Sequence, residues 1–416
     1  MRATQSICRQ LIILLCFCWI SQAMAQKLYS NQEGQYRIPS IVECKSGKWL
    51  AIADHRYDCS DIGNGRHIDI VLKESCDQGL TWSSPERIIA RGGNHIAASF
   101  DCAHGDAATV VDRETGEILL MCASGGVSFW DSTRDHPQMM GRYYSNDEGK
   151  TWKGEEVAKE IYELVPDMQQ AFFTSGRICQ SRFVKVGSHY RIYSALTTRK
   201  GNRVLYSDDF GKQWHLLGVN ATEAAPKGDE AKIEELPNGD VLISSRINTG
   251  RLFNILKYED IKKGVGMWGK AVLSSADNRG VYGKENACNG EILLVKAKDK
   301  GGKPVALFLQ SLPMGPKRAN VAIFYKVLHR GKVTSFGKKY AVSPEMIAKD
   351  WDGLYQVSDT TSAYSTMVQS RKGDILFLYE ENAFRHPETE PDDYYDIIFK
   401  RLSISEITKG QYRYAK

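Results

Sequence analysis

Ser75-Cys76-Asp77-Gln78-Gly79-Leu80-Thr81-Trp82 returns as Ser145-Asn146-Asp147-Glu148-Gly149-Lys150-Thr151-Trp152. It returns again as Ser207-Asp208-Asp209-Phe210-Gly211-Lys212-Gln213-Trp214. The pattern S-x-D-x-G-x-T-W thus occurs three times at intervals of about 60–70 residues, a period that marks large repeat units. A degenerate fourth copy runs from Tyr258-Glu259-Asp260 to Trp268. The motif describes a turn. The aspartate is expected to hydrogen-bond its own backbone two residues on, the glycine to supply a positive φ, and the tryptophan to plug the space beside a hairpin. Its role is to hold turns, not to do chemistry.

Each copy follows a short run that reads as a strand, such as 67–73 or 203–206. More such runs lie between copies (118–121, 241–243 and 375–379), with Asn238-Gly239 and Lys372-Gly373 among the turns that separate them. Long amphipathic helices are scarce, and Thr151 to Gln170 is the best candidate for a short helical insertion. Four-stranded units with one turn motif each, arranged radially, describe a propeller. No linker or low-complexity segment marks a second folded domain.

The bulk numbers fit that reading. The chain has 416 residues, 42% hydrophobic and 25% charged, so it can build a sizeable core. Arg2 and Arg9, the apolar run 11–20 and Ala23-Met24-Ala25 read as a secretory leader cleaved after Ala25, leaving 26–416 as one mature domain. The run is too short for a membrane span, so a soluble protein, secreted or periplasmic, is expected. Removing the leader lowers the net charge from +5 to +3, too mild for nucleic acid binding. Of ten cysteines, seven remain, too scattered for a disulfide framework or a zinc site; buried thiols are the expectation, with one or two disulfides possible. Asn220-Ala221-Thr222 is a glycosylation sequon that matters only in a eukaryotic host.

The repeats resemble the Asp boxes of the sialidase superfamily, and the likeness extends from about Tyr36 to Arg401. Tyr36-Arg37-Ile38-Pro39 resembles the arginine motif that opens sialidase catalytic domains. The segment 51–61 resembles the family's strand and loop carrying an arginine and a catalytic aspartate. The resemblance implies an all-β, six-bladed β-propeller with its site where the blades converge. It also implies an exo-α-sialidase that removes terminal sialic acid from glycoconjugates and needs no cofactor or metal.

Position by position, the resemblance makes Arg37, Arg246 and Arg318 the triad that grips the sialic acid carboxylate, with Arg330 a nearby rival to the third. Arginine suits the task because its planar fork binds a carboxylate bidentately and stays charged. Glu380 matches the carboxylate that holds the first arginine. Tyr364 matches the nucleophile and Glu230 its partner, as in sialidases generally. The pairing makes chemical sense: sialic acid bears a carboxylate on its anomeric carbon, which would repel an anionic nucleophile. A phenol brings no formal charge, but its pKa of about 10 makes it weak unless a base accepts its proton. Asp61 is assigned as general acid/base, ahead of Asp58 in the same loop. That placement carries a tension, since a nearby Arg56 would lower the acid's pKa. Arg56 and Asp106 match residues around the sugar's O4, Asp106 being equally readable as a turn residue. Phe129 and Trp130 read either as facing the sugar's N-acetyl or glycerol group or, the commoner case, as buried blade aromatics, and are left out of the site. Three other outcomes stay open on this scaffold: transfer to another sugar, release of an anhydro sugar, and sialic acid binding without catalysis.

Overall fold

The computed structural model describes residues 25–57, 61–63, 66–219, 223–248, 250–274, 287–330, 342–384 and 394–415. The expected leader (all but Ala25), Asp58, Cys59 and the sequon at 220–222 lie outside these residues.

The chain is all-β, as the repeats predict, and its strands pair mostly with sequence neighbours. Gln35–Glu43, Trp49–Arg56, Ile68–Ser75 and Arg87–Ala90 form one antiparallel run; His104–Val111, Ile118–Ser124, Met139–Ser145 and Lys153–Glu156 form the next. Further sheets are built on His189–Thr198 with Gly201–Ser207, on Ala231–Glu235 with Val241–Ile247 and Gly250–Asp260, and on Ile292–Asp299 with Pro304–Pro313 and Val321–Arg330. The last run, Ser362–Gln369, Ile375–Phe384 and Tyr394–Leu402, joins the first through a single register pair, Tyr36 with Tyr395. The short helix Ala158–Leu164 lies inside the expected insertion and buries Ile161 and Tyr162 between two sheets.

The core is divided among the gaps between successive sheets. Leu50, Ile52, Leu120 and Ile118 fill one such gap; Leu119, Met121, Ile192 and Leu205 fill the next. The first strands of neighbouring sheets face one another across a polar centre. There Ser40 Oγ lies 2.5 Å from Thr109 Oγ1, and Glu291 sits 3.7 Å from both Lys232 and Arg177. Of the six described cysteines, all but Cys76 are buried.

The turn motifs join the third and fourth strands of their sheets. Ser75 Oγ donates to Asp77 Oδ1 at 2.8 Å and accepts from Gly79 N at 2.8 Å. Asp77 receives Thr81 N at 2.9 Å and the Thr81 hydroxyl at 2.6 Å. Asp147 repeats these contacts with Thr151, and Asp209 binds Gln213 N at 2.9 Å. The aspartate therefore closes a loop to the residue four positions on, not two. Two successive left-handed residues make the longer reach possible: Gln78 (φ 63°) then Gly79 (φ 80°), Glu148 (57°) then Gly149 (80°), Phe210 (61°) then Gly211 (86°). A side chain at Gly79 would meet Phe399 and Trp49 at 2.7 Å, so glycine also permits the close approach.

Candidate active site

Three strands reach the site through irregular pairing. The register shifts between Arg37 and Ser40, between Gly105 and Ala108, and between Ser362 and Ser365. Bulges of this kind re-aim side chains, and here they set Arg37, Asp106 and Tyr364 toward one cavity of about 490 Å³. Asp106 holds φ at 59° and Ile38 at 55°. For a β-branched residue such as Ile38 this costs roughly 1–2 kcal/mol, so surrounding contacts must hold it.

Glu380 does so. Its carboxylate is fully buried; Oε1 accepts from Arg37 Nε at 2.8 Å and from Ile38 N at 2.8 Å, and Oε2 from Tyr364 N at 3.1 Å. One side chain thus aims the first arginine, pins the strained backbone beside it and fixes the tyrosine's main chain. Charge-assisted bonds in such a setting contribute roughly 1.5–3 kcal/mol each.

Tyr364 projects from Ser362–Gln369 into the centre of an arginine cluster. Its hydroxyl donates to Glu230 Oε2 at 2.7 Å and accepts from Arg246 Nη1 at 3.0 Å. Arg246 Nη1 also donates to the same Glu230 oxygen at 2.6 Å, and its Nε lies 3.5 Å from Asp229. The guanidinium carbons of Arg37 and Arg318 sit 5.4 Å and 5.6 Å from the Tyr364 ring centre. Burial raises the tyrosine's pKa well above its usual value, and the Glu230 charge raises it further; Arg246 and Arg318 pull the other way. The resting group is therefore a neutral phenol with a carboxylate in place to take its proton.

Arg318 stands just before the strand Val321–Arg330, tied by its carbonyl to Ser362 N at 3.0 Å. Arg330 closes the same strand, pairing with Val305. Nine residues of extended chain, about 30 Å, separate Val321 from Arg330. Of the two, it is Arg318 that lines the cavity beside Tyr364.

Behind the Arg56 and Asp106 that line the cavity, Asp54 is the residue the sequence did not reveal. It is fully buried, accepts from Arg56 Nη2 at 2.9 Å and receives Asp106 N at 3.0 Å on Oδ1. Burial raises its carboxyl to about 6 despite Arg56. Asp106 is also raised, by burial first and then by the Asp54 and Asp61 charges. Arg56 Nη2 lies 3.8 Å from Asp61 Oδ1, and Asp61's side chain is 71% exposed. Arg56 makes its closer contact with Asp54, and Asp61 stands on the exposed rim, bonded to Ile62 N at 2.8 Å. Asp54 could not be singled out beforehand because its neighbours read as an ordinary strand.

Arg37, Arg56, Asp61, Asp106, Glu230, Arg246, Arg318 and Tyr364 all line this cavity, with Glu380 directly behind it. The reading of Phe129 and Trp130 needs correction. Both line the cavity, and Trp130 is 66% exposed. They sit on the segment between two strands, where the alternation that marks core positions does not apply; Phe129 rests edge-on against Phe172, with centroids 5.1 Å apart.

The BNR repeat-like domain family matches residues 63–377, well over half of the chain. A sialidase of Bacteroides fragilis (strain YCH46) is 26% identical over 292 residues, covering 67% of this chain and 50% of that protein. A sialidase of Paraclostridium sordellii is 25% identical over 313 residues, covering 69% and 74%. The chain therefore spans about half the length of the first relative. Among solved structures, the Hadza microbial sialidase Hz136 superposes with a TM-score of 0.67 at 20% identity, over 92% of this chain and 69% of that one. The intramolecular trans-sialidase from Ruminococcus gnavus gives 0.67 at 17%, over 92% and 98%. The leech intramolecular trans-sialidase gives 0.69 at 16%, over 92% and 70%. At these identities the likeness shows the shared β-propeller fold alone. Taken with the repeat family and the curated relatives, it establishes that the chain belongs to the BNR-repeat sialidase superfamily.

Proposed function

We propose that the protein is an exo-α-sialidase that cleaves terminal α-linked sialic acid with retention, through a glycosyl-tyrosine intermediate. The observation that carries this reading is the phenol of Tyr364 held between Glu230 and Arg246, with Arg37 and Arg318 flanking its ring. Three cations around one nucleophile suit a substrate with a carboxylate beside its reactive carbon. The same cluster would repel no neutral phenol.

In the first step the Tyr364 oxygen bonds to the anomeric carbon, and its proton passes to Glu230 Oε2 as the glycosidic bond breaks. Asp61, on the exposed rim, gives its proton to the departing oxygen. In the second step Asp61 takes a proton from water, which attacks the anomeric carbon. The tyrosyl–sugar bond then breaks and Tyr364 recovers its proton from Glu230. Asp54 holds Arg56 and the backbone of Asp106 as a fixed wall for the sugar. Transfer to another sugar, or closure to an anhydro sugar, would share the first step and differ only in what attacks second.

The six-bladed form is supported by the core. Among the described residues six apolar clusters lie between successive sheets, and the cluster of Trp49, Val71, Leu378 and Phe399 fills the gap where the last run meets the first. The eight-stranded sheet then reads as two blades joined by one register pair.

Incubation with a fluorogenic α-sialoside tests the function. Release of the fluorophore by the wild type, abolished in Tyr364→Phe, is the expected result. Binding of free sialic acid without any release would replace this reading with a non-catalytic one.

A further inference from the structure

A second cavity, of about 500 Å³, adjoins the first and shares with it Phe129, Trp130 and Asp229. Its distinguishing feature is positive charge. The Arg199 guanidinium lies 4.5 Å from the Trp130 ring centre, and Lys227 also lines the cavity. Lys227 is held in a left-handed conformation (φ 58°) by the bond of its N–H to Lys200 O at 2.8 Å, which ties it to the turn carrying Arg199. Both side chains are exposed, and among the described residues neither reaches a carboxylate, whereas neighbouring Lys200 lies 3.6 Å from Asp167. The one acidic lining residue, Asp229, leans toward Arg246 at 3.5 Å.

We propose that this cavity is a subsite for an acidic group, carboxylate or sulfate, on a further sugar unit of the same glycan. The proposal rests on the sialidase reading of the adjoining cavity. The exposed indole of Trp130 offers a stacking face to the apolar side of a sugar ring. Arg199, stacked on that ring, keeps its edge N–H groups free for an oxyanion, and Lys227 adds a second, more mobile charge. The shared wall lets one glycan occupy both cavities. A doubly acidic substrate is then preferred over one whose remaining units are neutral.

The test compares the wild type with the double variant Arg199→Gln, Lys227→Gln on three substrates: α2,3-sialyllactose, α2,8-linked disialic acid and a sialoside with a sulfated adjoining galactose. Because both residues are exposed, the double variant is expected to fold. The prediction is a loss of about tenfold or more in kcat/KM on an acidic substrate, with a change under about twofold on sialyllactose. A response to disialic acid alone identifies the carboxylate as the ligand, and to the sulfated sialoside alone the sulfate. An equal change on all three substrates, or none, overturns the proposal. If the wild type cleaves none of them, the sialidase reading fails separately. Calorimetry with disialic acid then decides the subsite: weaker binding by the double variant supports it, and equal binding overturns it.

Discussion

Aspartates at the outer turns and aspartates at the cavity are the same side chain in opposite circumstances. Asp77 and Asp147 are held at about 2 by hydrogen bonds, first from a threonine hydroxyl and amide four residues on. Asp54 is pushed to about 6, and Asp106 is also raised, because burial disfavours their charge. The turn aspartates are satisfied by donors within their own loop. The buried carboxylates at the site also draw on distant partners: Glu380 and Arg37 lie 343 positions apart, and Asp106 N reaches Asp54 across 52, beside Asp54's local bond to Arg56. Local satisfaction marks a group that holds a turn. Satisfaction across sheets, against the cost of burial, marks a group placed for the site.

The largest effect is expected at Glu380. Glu380→Ala leaves Arg37 buried beside the freed N–H groups of Ile38 and Tyr364, a loss of roughly 3–5 kcal/mol. Chemical denaturation of the variant measures it, and activity is expected to collapse with the aim of Tyr364. A variant of unchanged stability would break the contrast between cross-sheet and local carboxylates.

Next comes Asp54→Asn, which weakens the hold on Arg56 while keeping the side chain's shape. Misplacement of a positioning group costs on the order of 100-fold in kcat/KM. Steady-state kinetics on a fluorogenic sialoside measures the loss; undiminished kcat/KM would show that Asp54 is merely buried.

The pH dependence of stability sharpens the same point. Asp54 ionises at about 6 when folded, against about 3.9 in an unfolded chain. Between these values the folded protein holds a proton that the unfolded chain has released. Asp54's contribution to stability therefore falls as pH rises from about 4 to about 6, and Asp106 acts in the same direction. Melting curves across that window are expected to show a shallower decline for Asp54→Asn, and parallel curves would contradict the raised carboxyl.

The smallest effect belongs to the turns. Asp77→Ala removes the bonds to Thr81 at a loop far from the cavity, so the melting temperature is expected to fall slightly and kcat/KM to hold. A marked loss of activity there would erase the distinction between the two kinds of aspartate.

Sequence made some of this legible and concealed the rest for identifiable reasons. The turn motif is contiguous, so its glycine and aspartate spoke directly, although the four-residue reach of Asp77 depended on a left-handed Gln78 that no residue type announces. Arg37, Glu230, Arg246, Arg318, Tyr364 and Glu380 were found through an ordered resemblance, and the fold brings them together. Asp54 stayed hidden because Trp49–Arg56 is buried almost throughout, so burial at one of its positions carries no special mark. Trp130 was misread because exposure on a connecting segment depends on sheets far away in sequence. The bulges at Ile38 and Asp106 are products of assembly and leave no local signature.

The central claim is that Tyr364 becomes covalently linked to the sugar. A fluorinated sialosyl fluoride, which forms the glycosyl-enzyme and slows its breakdown, allows peptide mass mapping of the trapped adduct. The added sialosyl mass is expected on the peptide containing Tyr364, and absent when Tyr364→Phe is treated alike. Recovery of the adduct on Glu230 or Asp61, or a reacting enzyme with no adduct at all, would contradict the account.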